Sequence, residues 1–192
     1  MLFTIAGSSS SWTWLARRPC FTASPGVRME EFPLQVSSRT RRVTFMEPPA
    51  GGDLNCAPAP GFGCGSVFKL KPNGKEIALY SFTGGADGFE PVAGVVQDSK
   101  GNLYGTAGSG GDLSCAPGEG SGCGVVFKVS PNGKETVLYS FGGGSDGASP
   151  AAGLIWDGKG NLYGTTPYGG DLSSSNPSCG GIGCGVVFKL TP

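Results

Sequence analysis

The side chains of this chain that are able to do chemistry come in repeated sets. Its cysteines fall in close pairs: Cys56 with Cys64, Cys115 with Cys123, and Cys179 with Cys184. The first two pairs are spaced C-x7-C and the third C-x4-C, around a different loop at residues 173–178. Pairs kept across loops of unequal length argue that the two sulfurs meet each other. A disulfide closing so short a ring would stabilise the fold by roughly 2–3 kcal/mol, by restricting the unfolded chain. It would also need an oxidising compartment. The alternative is zinc. A four-thiolate site would have to draw two pairs from different copies, and these spacings are wider than the usual zinc pattern. The spacing favours three disulfides, with Cys20 left over.

The carboxylates recur as well. Asp53, Asp112 and Asp171 follow glycine, Asp87 and Asp146 sit in Gly-Gly-x-Asp-Gly, and Asp98 and Asp157 stand just ahead of Gly-Asn. A catalytic pair would be singular. An aspartate that returns at each turn is a turn-former, accepting bonds from the backbone two residues on. Calcium is the one cofactor that Asp, Asn and turn carbonyls would take, although no EF-hand or nonapeptide calcium motif is present. The chain has no histidine. The commonest general base is therefore missing, and neither a Ser-His-Asp nor a Cys-His mechanism can be assembled from this chain. The glycine clusters lack the P-loop pattern. No catalytic residue is expected.

Charge adds exclusions. Fourteen basic groups balance 14 acidic ones, which gives no electrostatic case for nucleic acid or an anionic membrane surface. No apolar run approaches the roughly 18 residues of a membrane helix.

These groups are positioned by a repeat. Residues 52–110 return as 111–169 with 38 of 59 positions identical, and a third copy runs from residue 170 to 192. Each full copy reads as four short strands. In the first, residues 65–71 alternate, Asn73-Gly74 signals a hairpin, and residues 76–82 form the partner strand. That second strand is apolar on both alternations (Ile77 and Leu79 against Ala78, Tyr80 and Phe82), which calls for cover on both faces. Strands near 92–97 and 102–106 flank a turn at 98–101. The second copy repeats each step at 125–129, 135–141, 152–156 and 161–165, and the third supplies 185–190.

The expected fold is all-β: tandem four-stranded antiparallel blades in a partial β-propeller-like array. The expected division is a poorly ordered non-repeat leader at 1–50, blades at 51–110 and 111–169, and a partial repeat at 170–192. The leader holds all six arginines and none of the eight lysines, as if it had a separate origin. A propeller closes with about 4–8 blades. Two copies and part of a third imply a longer array or assembly with other copies.

Aromatic residues divide by register. Phe68, Phe127 and Phe188, with Tyr80, Tyr139, Phe82 and Phe141, recur and read as core. Phe62, Phe89, Trp156 and Tyr168 do not recur. They are the candidate ligand contacts, weighed against scattered surface apolar groups.

The segments Ala-Gly-Val-Val-Gln-Asp-Ser-Lys-Gly-Asn-Leu-Tyr-Gly-Thr at 93–106 and Gly-Cys-Gly-Val-Val-Phe-Lys-Val at 122–129, with the recurring Leu-Tyr-Ser-Phe, carry a family likeness. They resemble the GloVer-type tandem repeat, found in choice-of-anchor bacterial surface proteins that carry many copies. The resemblance covers about residues 51–192 and implies an extracellular or cell-surface location. It implies no activity. Against that pattern, residues 1–192 hold a short array, and no anchor motif is read among them. The expectation is a secreted or surface repeat module with a structural or interaction role, its partners polysaccharide or other surface proteins. The alternative is a fragment of an extracellular carbohydrate-binding or carbohydrate-active propeller protein.

Overall fold

The structure, a computed structural model, describes residues 43–47, 56, 63–71, 73, 75–115, 121–172, 179 and 181–192. Cys20 and Phe62 lie outside them, as does all of the 1–50 leader except Val43–Glu47. The described residues form ten strands: β1 Val43–Glu47, β2 Ser66–Leu70, β3 Glu76–Ser81, β4 Val96–Gln97, β5 Leu103–Ala107, β6 Val125–Val129, β7 Glu135–Ser140, β8 Ile155–Trp156, β9 Leu162–Thr166 and β10 Val186–Leu190. All pairings are antiparallel. The fold is all-β, as expected.

The sheets do not coincide with the sequence copies. Sheet 1 has the order β1-β2-β3, sheet 2 β4-β5-β6-β7, and sheet 3 β10-β9-β8. Sheet 2 therefore joins the last two strands of one copy to the first two of the next. β1 extends this scheme into the leader. It pairs with β2 from Val43↔Leu70 to Glu47↔Ser66, the register in which β5 pairs with β6. The non-repeat segment thus supplies the strand that a preceding copy would have supplied.

Local chemistry sets each hairpin. In the β6–β7 turn, Gly133 alone takes positive φ, at 85°, and its amide donates to the Ser130 carbonyl at 2.9 Å. Pro131 presets the first turn position, so Asn132 needs no left-handed conformation. The hairpin is the expected one, built on a proline-led turn with glycine at its end. Register then slips between Val67 and Phe68 in sheet 1 and between Val126 and Phe127 in sheet 2. This bulge explains the two-sided apolar pattern of β3. The extra residue resets the alternation, so Leu79 and Tyr80 both pack against one core, while Ala78 is exposed. In sheet 2 the equivalent strand is covered on both faces, with Val137 against the first core and Leu138 against the second.

Two cores hold the three sheets together. Each sheet has a forward face, which in sheet 2 carries Tyr104, Thr106 and Val126, and a back face, which carries Leu103, Gly105 and Phe127. The forward face of sheet 1, through Val67 and Tyr80 with the adjoining Phe82, packs on Leu103, Phe127 and Val129 of sheet 2. The forward face of sheet 2, through Tyr104 and Val126 with Phe141, packs on Leu162, Phe188 and Leu190 of sheet 3. The joint is the same both times. Phe82 meets Phe127 at 5.0 Å between ring centroids, and Phe141 meets Phe188 at 5.2 Å. Glycine at 105 and 164 makes room. A Cβ on Gly105 would come within 2.7 Å of the Phe127 ring, and one on Gly164 would strike Phe188.

Candidate functional site

The connection from each sheet to the next carries the recurring Asp87 or Asp146. It leaves β3 or β7, crosses the rim, and returns through Pro91 or Pro150. Glu90 and Ser149 precede these prolines at φ 60° and 55°, a left-handed geometry rare outside glycine. Both are held there by the loops around them. The Glu90 amide donates to the Cys64 carbonyl at 3.3 Å, and the Ser149 amide to the Cys123 carbonyl at 2.8 Å. The cysteine loops thus tie directly into the crossings.

All three cysteine pairs meet as disulfides, with Cα atoms 5.8, 5.9 and 5.0 Å apart. Those separations lie within the range a disulfide spans. Among the described residues, no group of three or more His, Cys, Asp or Glu is placed to hold a metal ion.

The recurring aspartates act as braces. Asp87 accepts from the Tyr80 hydroxyl at 2.7 Å, the Thr83 amide at 2.8 Å, the Thr83 hydroxyl at 2.7 Å and the Gly85 amide at 3.2 Å. Asp146 repeats the pattern with Tyr139, Gly142 and Gly144. Asp98 caps its turn by accepting from the Lys100 and Asn102 amides, the Asn102 side chain and the Tyr104 hydroxyl. Burial alone would raise the Asp98 pKa, but these hydrogen bonds outweigh it and hold the carboxyl below its usual range. Asp157 is likewise held low, chiefly by Asn161. A carboxylate that already accepts three or four bonds has little capacity left for a ligand.

One acidic group departs from this pattern. A cleft of about 560 Å³ opens at the joint of sheets 1 and 2, lined by Ala86, Asp87, Gly111, Asp112, Glu135, Val137 and Ser140. Glu135, at the start of β7, has a buried Oε1 with no hydrogen-bond partner. Desolvation, reinforced by the nearby Asp87 charge, pushes its pKa up to about 7. The cleft can accept hydrogen bonds and hold a proton near neutrality. Its hydroxyl, Ser140 Oγ, accepts the Asp112 amide at 2.7 Å. Glu135 was not singled out from sequence, since it looks like a strand end. Its burial arises from the stacking of sheets, which no local pattern reports.

The candidate aromatics do not converge. Phe89 is half-buried against the first core and pairs with Ser109 in an isolated bridge. Tyr168 pairs with Ala148 in the equivalent bridge of the second joint and is 45% exposed. The aromatic has changed sides of the same bridge between copies. Trp156 packs on Tyr104 at 5.2 Å and belongs to the second core.

This geometry defines a class: an all-β tandem-repeat protein whose recurring polar groups serve its own turns. Residues 59–192 match the Gloeobacter/Verrucomicrobia repeat, and the chain belongs to that family. Comparison with curated proteins gives no match. Among the described residues, no helix is long and apolar enough to cross a membrane.

Proposed function

We propose that this chain is a non-catalytic interaction module of the cell surface or extracellular space, a stiff stack of disulfide-pinned sheets that presents its rim loops to a partner. The observation that carries the reading is the use of the recurring acidic groups. Asp87, Asp98, Asp146 and Asp157 each brace a turn that recurs from copy to copy. The three cysteine pairs fit an oxidising location. A partial propeller-like arrangement of the repeat units 51–110, 111–169 and 170–192 is the arrangement that fits this stacking.

The test is binding without turnover. The oxidised chain is incubated with a panel of soluble and insoluble polysaccharides and with intact bacterial surfaces, and both bound protein and released product are measured. Retention without product is expected. Release of a cleaved product that stops on Glu135→Gln would replace this reading with a catalytic one.

One observation favours polysaccharide over protein as the partner. Tyr168 offers an exposed ring at the second joint, and sugar faces pack on such rings. Tyr168→Ala should then weaken polysaccharide retention and leave the fold intact.

A further inference from the structure

The even charge of the whole chain hides a separation along its strands. At one end of the sheets lie the tight connections β2–β3, β4–β5, β6–β7 and β8–β9, and at the other lie the crossings and the cysteine loops. Like ends of successive sheets fall on the same side. A Cβ on Gly88, in the crossing that leaves sheet 1, would meet Val125 and Ala107 at the crossing end of sheet 2, and one on Gly147 would meet Val186 and Thr166 of sheet 3. All eight lysines stand at the turn end: five in the turns, and Lys69, Lys128 and Lys189 next to last in β2, β6 and β10. The carboxylates there are Glu76, Asp98, Glu135 and Asp157, whereas Asp87, Glu90, Asp112, Asp146 and Asp171 lie at the other end. The lysines recur as the aspartates do, Lys75 returning as Lys134 and Lys100 as Lys159, but they brace nothing. Among the described residues no lysine ammonium donates a hydrogen bond or closes an ion pair within the chain, and that of Lys189 stands 5.9 Å from the centre of the Tyr163 ring. Lysines that keep sheets from pairing edge to edge lie along edge strands, and the edge strands β3, β4, β7 and β8 carry none.

We propose that the turn end of the stack is a binding surface for an acidic polysaccharide whose charges are carboxylates. This surface lies opposite the rim and does not rest on the rim reading above. Cations that repeat from sheet to sheet, about 10 Å apart where sheets pack face to face, suit a polymer laid across the stack better than a single small anion. Lysine is a point charge without the planar fork that fits phosphate, and the described residues hold no arginine, which counts against nucleic acid. The rim of a second copy is a poor mate, because Asp87 and Asp146 are already taken up by their own loops.

Binding of the oxidised full-length chain to polygalacturonate is measured by titration calorimetry at about 50 and 500 mM salt, between which the screening length shortens. Dextran, a DNA duplex and phosphatidylglycerol vesicles are titrated in parallel. Affinity for polygalacturonate that falls with salt is expected, with none for dextran at this surface. Lys75→Gln, Lys100→Gln, Lys134→Gln and Lys159→Gln, combined, should weaken it by about tenfold or more, since each cation held near a polyanion adds to the attraction. All four side chains are exposed, so the fold should tolerate the change. Tyr168→Ala, at the rim, should leave the salt-dependent binding unchanged, so failure of the rim reading leaves this one standing. A wild-type chain that does not bind polygalacturonate overturns the proposal. Undiminished binding by the combined variant overturns it too, by moving the contact to the six arginines within residues 1–50. Tighter binding to the duplex or to the vesicles at the same salt would put that partner in place of the polysaccharide.

Discussion

Phe82 stands edge-on to Phe127, with ring centroids 5.0 Å apart and planes at 70°, although the two side chains belong to different sheets. Both are fully buried. Phe82 follows the last strand of sheet 1, and Phe127 sits at the centre of β6, so the pair links a sheet to its successor. Phe82→Ala would remove one ring from the joint and leave a cavity that flanking backbone cannot close. The expected loss is about 3–5 kcal/mol in a urea titration. Phe141→Ala at the second joint should behave alike. A loss below about 1 kcal/mol for either variant would mean that the sheets are held together by something other than these rings.

The same joint depends on what Phe127 lies against. Gly105 is paired with it across β5 and β6, and a Cβ there would also come within 3.0 Å of Val95. Gly105→Ala therefore adds a methyl group to a filled space and should cost about 1–3 kcal/mol. Gly164→Ala, facing the half-buried Phe188, should cost less, because that ring has more freedom to give. Thermal melts of the two variants, side by side, would show that order. Equal tolerance of both would argue against close packing at the first joint.

Much of this was legible in the sequence because the repeat made the chain its own control. Strand positions followed from alternation and from the Asn-Gly and Gly-Asn turns, and the cysteine pairing followed from its survival across loops of unequal length. The third strand of each copy was expected to be longer than it is: residues 92–97 shrink to β4 at Val96–Gln97. Pro91 and its neighbours instead form the crossing between sheets. The offset between copies and sheets was not legible. A sequence period fixes how long a unit is and says nothing of where one sheet ends and the next begins. The part played by Val43–Glu47 was hidden for the same reason, since that segment shares the strand's place without its repeat sequence. For the candidate contacts, register separated core from variable aromatics. It did not reveal that Phe89 and Tyr168 stand at opposite ends of equivalent bridges.

The disulfides give a chemical test of the loop architecture. With Cys56–Cys64, Cys115–Cys123 and Cys179–Cys184 closed, Cys20 is the one cysteine left. Thiol titration of the oxidised, denatured chain should find one reactive group, and more than one would break the three-bridge assignment. Replacing Cys115 and Cys123 together by serine should cost about 2–3 kcal/mol. The loss should fall on the crossing at Ser149, whose amide is bonded to the Cys123 carbonyl. Hydrogen exchange would therefore quicken first at that amide.

Glu135 makes stability depend on pH in a window set apart from the other acids. Its pKa rises from 4.5 to about 7 on folding, so the folded chain holds the proton more tightly than the unfolded chain. The contribution is fully present below the unfolded value. It is lost as pH climbs through the folded one, where the carboxylate must exist beside Asp87 with its Oε1 buried and unpaired. The aspartates that are held low act in the opposite sense and at more acidic pH, since their stabilisation is lost as pH falls through their folded values. With no histidine in the chain, the span from about pH 5 to 8 reports chiefly on Glu135. Wild-type stability should decline across it by about 1–2 kcal/mol, a figure reduced from the full shift because the side chain is only half-buried and solvent screens the Asp87 charge. Glu135→Gln keeps the shape, removes the charge and should flatten the decline, making the variant the more stable protein at pH 8. Superimposable pH profiles for the two would show that this carboxyl is solvated in the folded chain and that the cleft does not hold a proton.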